Sequence, residues 1–277
     1  MIKPGICTIT LKHLAPDQVI ELAASNKLQG IEWWGGEHVR PGDLPTARDV
    51  GAATRAAGLA ISTYGSYHRV GVVGTENPSF ETVLETAVEL GAPSIRVWAG
   101  DRDREQADAA FQKTVLSELN RIADLAAEAG VSITVEFHGG TLTNTNANAA
   151  WLLGEVPHNN VRFSWQPPHG FEPDHCLDGL RSLLPRLGTV HVFHWTIGSF
   201  EKSLWTEAEK KPRWPEDFHR HPLADGVDRW AAYLQLASSA EGTHFALLEF
   251  ARGDSAEQAA ADARTLVSLC ASLNESR

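Results

Sequence analysis

Eight short β-rich runs alternate with eight amphipathic helical patterns along the chain. The runs are Gly5–Thr10, Gly30–Trp34, Ala60–Tyr64, Ser94–Trp98, Ser132–Phe137, Val161–Gln166, Val190–Trp195 and Phe245–Phe250. Apolar residues at helical spacing fill Asp17–Ser25, Thr46–Ala57, Phe80–Leu90, Gln106–Ala129, Asn146–Leu153, Leu177–Leu184, Val227–Ser238 and Ala256–Leu273. Strands separated by helices are parallel, and their crossovers are right-handed. Eight such units within 277 residues predict a single domain over residues 1–277, a closed (β/α)₈ TIM barrel. An open doubly wound sheet is the alternative, but no glycine-rich phosphate loop follows the first strand. Gly30, Gly58, Gly91, Gly130, Gly188 and Gly242 precede strands or follow helices, where C-caps are expected.

Composition narrows the function classes. A net charge of −11 repels a nucleic-acid backbone, and no basic run offsets it. Cys7, Cys176 and Cys270 are far apart and odd in number, which fits a reducing cytoplasm rather than a disulfide framework. There is no signal-type h-region and no apolar run of about 18 residues, so no membrane partner is expected.

Polar side chains at the C-terminal ends of barrel strands are the catalytic candidates. Parity selects those that point inward. In the fifth strand Ile133, Val135 and Phe137 must meet the helices, so Glu136 faces the interior. In the seventh, Val190 and Val192 face out, so His191 faces in and His194 faces out. In the eighth both faces are apolar, and parity does not place Glu249. Glu136, Gln166, His191 and Glu249 thus end four successive strands. Two carboxylates, one imidazole and one amide oxygen suit Mn²⁺ or Mg²⁺, with Co²⁺ or Zn²⁺ as alternatives.

Other polar or aromatic residues near the expected mouth are Glu32, Tyr64, His68, Asp101, His138 and Arg96. Arg96 is read either as a substrate anchor with forked donors or as the ion-pair partner of an interior acid such as Glu32. Trp34, Trp98 and Trp195 end strands, where an indole can meet sugar C–H bonds or simply pack the barrel top. The long segment Thr196–Gly226 after the seventh strand carries Trp205, Trp214, Phe218, His219, Arg220 and His221, and is read as a lid over the site.

These segments, taken in order, resemble the xylose-isomerase-like TIM-barrel superfamily of ketose 3-epimerases, hydroxypyruvate isomerases and inosose dehydratases, with endonuclease IV more distant. ITVEFHGG is similar to its Glu-x-His-Gly strand end and QPPH to its Asp-x-x-His segment. VHVF matches its strand-seven histidine, LLEF its last glutamate, and HPLADGVDRW the approach to its seventh helix. Gln166 stands where that family has Asp, and Phe193 where many members have Lys. The resemblance implies Glu136, Gln166, His191 and Glu249 as metal ligands, with Glu136 and Glu249 as acid and base. It implies that His138 and His169 orient substrate or ligands. Tyr64, His68, Arg96, Trp34, Trp98, Trp195 and Arg220 complete the expected substrate-binding set.

The implied activity is a metal-dependent isomerase or epimerase working on a sugar, polyol or related hydroxy-carbonyl compound through an enediolate. A lyase or dehydratase, including one that cleaves C-glycosides, would use the same enolate. A non-catalytic sugar-binding barrel and an endonuclease IV-like nuclease are the remaining alternatives. A homo-oligomer or a partner subunit stays open.

Overall fold

Eight parallel strands close into a barrel because each carries one face of branched or aromatic side chains that only a surrounding helix layer can cover. The computed structural model describes residues 1–74, 76–197 and 218–275. Its strands are β1 (Ile2–Cys7), β2 (Gly30–Trp34), β3 (Ala60–Arg69), β4 (Ser94–Trp98), β5 (Ser132–Glu136), β6 (Val161–Trp165) and β7 (Leu187–Val192), then β8 (His194–Ile197), β9 (Phe218–His221) and β10 (His244–Leu248). The closed order is β1-β10-β7-β6-β5-β4-β3-β2, and β8 with β9 forms a separate antiparallel ribbon. Helices α1 (Pro16–Ser25), α2 (Leu44–Ala56), α3 (Phe80–Leu90), α4 (Ala109–Glu128), α5 (Asn146–Glu155), α6 (Pro173–Leu183), α7 (Val227–Ala237) and α8 (Ala256–Glu275) surround it. Among the described residues, no helix is long and apolar enough to cross a membrane.

Local chemistry sets the helix limits. Asp108 accepts from the Phe111 amide at 2.7 Å and opens α4. Val115, Leu119, Ile122, Ala123 and Ala126 then recur at spacings of three and four and bury one stripe. Gly91 ends α3 in the left-handed region at φ +79°, which costs a glycine little. Outside the sheet, Ile31, Trp33, Ile95, Val97, Val135, Phe163, Trp165 and Val190 are fully buried. Each such side chain contributes about 1.5–3 kcal/mol by leaving water.

Four expectations change. Gly30 and Gly188 lie inside β2 and β7 and cap no helix. A Cβ at Gly30 would collide with the Phe245 ring, so crowding inside the barrel keeps it small. β1 starts and ends three residues early, and β10 stops at Leu248. The seventh barrel strand stops at Val192, and His194 starts the ribbon. β3 runs five residues past Tyr64 and is bulged. Its pairing with β2 skips Ser62, and its pairing with β4 skips Ser66 and Tyr67.

The same crowding supplies a stability test. A Cβ at Gly5 would lie 2.7 Å from the Gly30 carbonyl oxygen and 2.8 Å from Leu247 Cδ2. Gly5→Ala is expected to cost about 1–3 kcal/mol, the scale of an overpacked interior. Urea denaturation measures it, and a loss near zero would show that the strands shift freely.

Candidate metal centre at the barrel mouth

Glu136 is the last residue of β5, His191 lies in β7 and Glu249 follows β10 directly. Their exposures are 2%, 0% and 5%. One ligand atom from each can be chosen so that all lie within 4.8 Å of one another. His191 Nδ1 is 3.5 Å from Glu136 Oε1 and 3.4 Å from Glu249 Oε2. Its Nε2 is 3.5 Å from Glu32 Oε2. Despite these neighbours, neither ring nitrogen makes a hydrogen bond. A buried imidazole nitrogen with no hydrogen bond, facing two carboxylate oxygens, is a donor set that fits a divalent cation.

Charge points the same way. Arg96 is 2% exposed and sits between two acids. Its Nε donates to Glu32 Oε1 at 2.8 Å, and its Nη1 donates to Glu136 Oε2. Gly65 makes room for this head, since a Cβ there would lie 2.9 Å from Arg96 Nη2. Trp98 Nε1–H also donates to Glu136 Oε2. One oxygen of Glu136 is therefore occupied, and Oε1 is left facing His191. Burial alone would raise both carboxyls. The Arg96 guanidinium overrides it, drawing Glu32 down to about 2 and holding Glu136 well below the ordinary carboxylate range. Burial likewise opposes a charged His191, but Glu249 and Glu32 hold its pKa well above the ordinary histidine range. Three buried carboxylates against one guanidinium leave two negative charges, which a dication beside a neutral His191 would cancel.

Two ring-lined walls rise around this cluster. On one side Tyr67 meets Trp98 edge-on at 4.8 Å and Trp34 at 6.4 Å, and Trp98 lies 5.0 Å from the His138 ring. On the other, Trp195 stacks on His169 at 4.6 Å and Phe193 at 4.4 Å, and Phe250 lies 5.3 Å from it. Burial, with the nearby His138, lowers His169 to about 4. Arg220 lies over Trp195 and Phe250 and pairs with Asp254 at 2.7 Å. Tyr67 and Phe250 hold φ near +60°, an uncommon backbone state for aromatic residues that clusters at functional sites.

Not every expected residue reaches the mouth. Tyr64 is fully buried behind β3, and its hydroxyl donates to the Val39 carbonyl at 2.8 Å. His68 packs on Phe80 of α3, with Nδ1 3.0 Å from the Pro78 carbonyl oxygen. The bulges of β3 turn both outward and bring Tyr67 in, over Arg96 at 5.2 Å. Tyr67 was absent from the sequence-based set. The small pair Gly65 and Ser66 before it was the available signal of a bulge. Arg96 takes the ion-pair alternative. Gln166 lies just past β6, and its Nε2–H donates to the Phe137 carbonyl at 2.7 Å, so its amide oxygen remains as the acceptor. His194 turns away from the site, as expected, beside Gly226 and His221. Of the expected lid, residues 198–217, with Trp205 and Trp214, lie outside the described residues.

The comparisons agree with this architecture. A 3-dehydroshikimate dehydratase from Bacillus anthracis is 23% identical over 204 residues, spanning 68% of this chain and 70% of that protein. A solved structure of a probable 3-DHS dehydratase from Bacillus anthracis superposes with a TM-score of 0.73 at 20% identity, covering 97% of this chain and 98% of the other. A D-psicose 3-epimerase solved in the presence of D-fructose gives 0.67 at 18% identity, covering 98% and 99%. A xylose isomerase-like barrel from Mycobacterium smegmatis in complex with magnesium gives 0.70 at 15% identity, covering 98% and 97%. The sequence profile of the xylose isomerase-like TIM barrel matches residues 20–269, and the chain belongs to that family.

Proposed function

We propose that this chain is a divalent-metal-dependent isomerase or epimerase of polyhydroxylated carbonyl compounds, acting by removal of a proton beside the carbonyl. The observation that carries this reading is the buried Glu136–His191–Glu249 cluster at the barrel mouth. Glu136, His191 and Glu249 would hold the ion, with the Gln166 amide oxygen as a fourth donor. When bound, such an ion would supply Lewis-acid polarisation of a substrate carbonyl and of the oxygen that takes the charge on proton removal. The nature of the relatives supports the reading, since they are a dehydratase and an epimerase.

The two glutamates are not equivalent. Arg96 and Trp98 lock Glu136 as an anion, whereas no guanidinium or indole N–H among the described residues touches the Glu249 carboxylate. Glu249 is thus the proton acceptor. Inverting a stereocentre would require Glu136 to take up a proton from solvent before returning it from the opposite face, a step the Arg96–Trp98 lock opposes. The aromatic walls bind the apolar faces of the substrate and exclude water.

The Glu136 lock also favours a second reading. A site with one working base moves a proton along one face or lets a β-hydroxyl leave, which is dehydratase chemistry like that of the Bacillus anthracis relative. Incubating Mn²⁺-loaded protein in D₂O with a panel of ketoses and with 3-dehydroshikimate tests both. Deuterium beside the carbonyl with atom count conserved marks an isomerase or epimerase. Loss of water marks the lyase. Neither outcome, in protein that also fails to bind Mn²⁺, would overturn the proposal.

Gln166 provides a separate check. Gln166→Asp is expected to tighten Mn²⁺ binding about tenfold, because a carboxylate attracts a dication more than an amide dipole does. It also removes the donor to Phe137 and should cost about 1 kcal/mol of stability. Titration of the metal-free variant decides. Unchanged or weaker affinity in folded protein would place Gln166 outside the ligand set.

A further inference from the structure

The arginines around the mouth differ in how their charge is used. Arg96 is spent on Glu32 and Glu136, Arg102 on Asp101 at 2.8 Å, and Arg220 on Asp254 at 2.7 Å. Arg69 is not. Its guanidinium has no ion pair or side-chain hydrogen bond among the described residues. Asp101, the acid that feels its charge, is already paired with Arg102.

The position of Arg69 is built. It ends β3 opposite Trp98, and its side chain lies 4.7 Å over the Trp98 indole. The same indole donates through its N–H to Glu136. Arg69 and the metal-ligand set are therefore separated by a single ring. The backbone beneath is held rigidly. Asn77 accepts from the Arg69 amide at 2.9 Å and donates to the Arg69 carbonyl at 2.9 Å and to the Val72 carbonyl at 2.7 Å. The next amide, Val70, donates to the Trp98 carbonyl at 2.9 Å. A half-buried guanidinium on a fixed backbone, lying on an aromatic face with no acid of its own, has its forked donors ready for an external anion. In a chain of net charge −11, an anionic substrate needs such a local cation to be held.

We propose that Arg69 is a specificity-determining residue that binds a carboxylate of the substrate, making the substrate a polyhydroxylated carbonyl acid rather than a neutral sugar. This rests on the enolising site described above and names its substrate class. The carboxylate lies over the Trp98 side of the mouth, and the reacting carbonyl lies toward Glu136 and Glu249.

The test is calorimetric titration of Mn²⁺-loaded protein with D-glucose, D-glucuronate and D-glucose 6-phosphate, in wild type, Arg69→Gln and Arg69→Lys. The wild type should bind glucuronate at least about tenfold more tightly than glucose, the scale of a charge-assisted pair. Arg69→Gln should bring the two within about twofold, with glucose affinity, Mn²⁺ affinity and Tm unchanged, and Arg69→Lys should fall between. The inference is overturned if the wild type shows no preference for glucuronate, if Arg69→Gln keeps the preference, or if it weakens both sugars alike. Tighter binding of glucose 6-phosphate than of glucuronate would overturn the carboxylate assignment. The readout is binding, so the two readings fail differently. Without an enolising site, metal binding or deuterium exchange is lost while the glucuronate preference stands. Without this anion site, the preference is lost while metal and exchange remain.

Discussion

Glu249→Gln is expected to lower turnover at saturating Mn²⁺ by at least about a hundredfold, the usual scale for a lost general base, while the protein stays folded. The carboxylate follows β10 at the mouth and lies 3.4 Å from His191 Nδ1. No arginine among the described residues draws off its charge. An amide of the same shape preserves packing but cannot take a proton. Glu136→Gln should lose at least as much, for a different reason. It removes a proposed ligand and also leaves Arg96 with one carboxylate in place of two. Metal content must be measured alongside rate, since both variants alter the proposed ligand set. A near-normal rate for Glu249→Gln with metal bound would remove it from proton transfer. A normal rate for Glu136→Gln would remove the lock from the mechanism.

In metal-free protein, Arg96→Leu should cost about 3–5 kcal/mol, the range for breaking a buried ion pair by deleting one partner. Arg96 bridges Glu32 and Glu136 inside a barrel that shields all three from water. Leucine restores much of the volume but leaves two buried carboxylates facing each other. Both must then take up protons or share His191 as their remaining cation. Arg96→Lys should recover part of the loss, because one ammonium reaches a single acid where the guanidinium fork reaches two. Saturating Mn²⁺ should offset some of the remainder by supplying positive charge to Glu136. Urea denaturation with and without the ion measures each term. A cost below about 1 kcal/mol for Arg96→Leu would show that the acids are solvated or neutral, and that the network does not organise the site.

Much of this centre is legible along the chain. The order of strands and helices follows from hydrophobic periodicity, which is a local property. The alternation of side chains in β5 and β7 places Glu136 and His191 inside, because residues of opposite parity must lie on opposite faces of a sheet. What parity cannot see is register. The bulges in β3 shift its pairing against β2 and β4, so Tyr64 and His68 turn behind the sheet and Tyr67 turns in. Glu249 was undecided by parity, since both faces of β10 are apolar, and only the pairing of Leu247 with His191 brings it beside His191 and Glu136. Arg96 was open between a substrate and an acid, and that choice belongs to Glu32 and Glu136, at sequence separations of 64 and 40. Closure of the barrel places those acids beside one guanidinium in a dry interior, where an unpaired charge is too costly to keep. The sequence by itself thus determined which residue types end the strands and which faces they take. The tertiary structure decided which of them share a charge or a hydrogen bond, because those pairings depend on strands that meet only when the barrel closes.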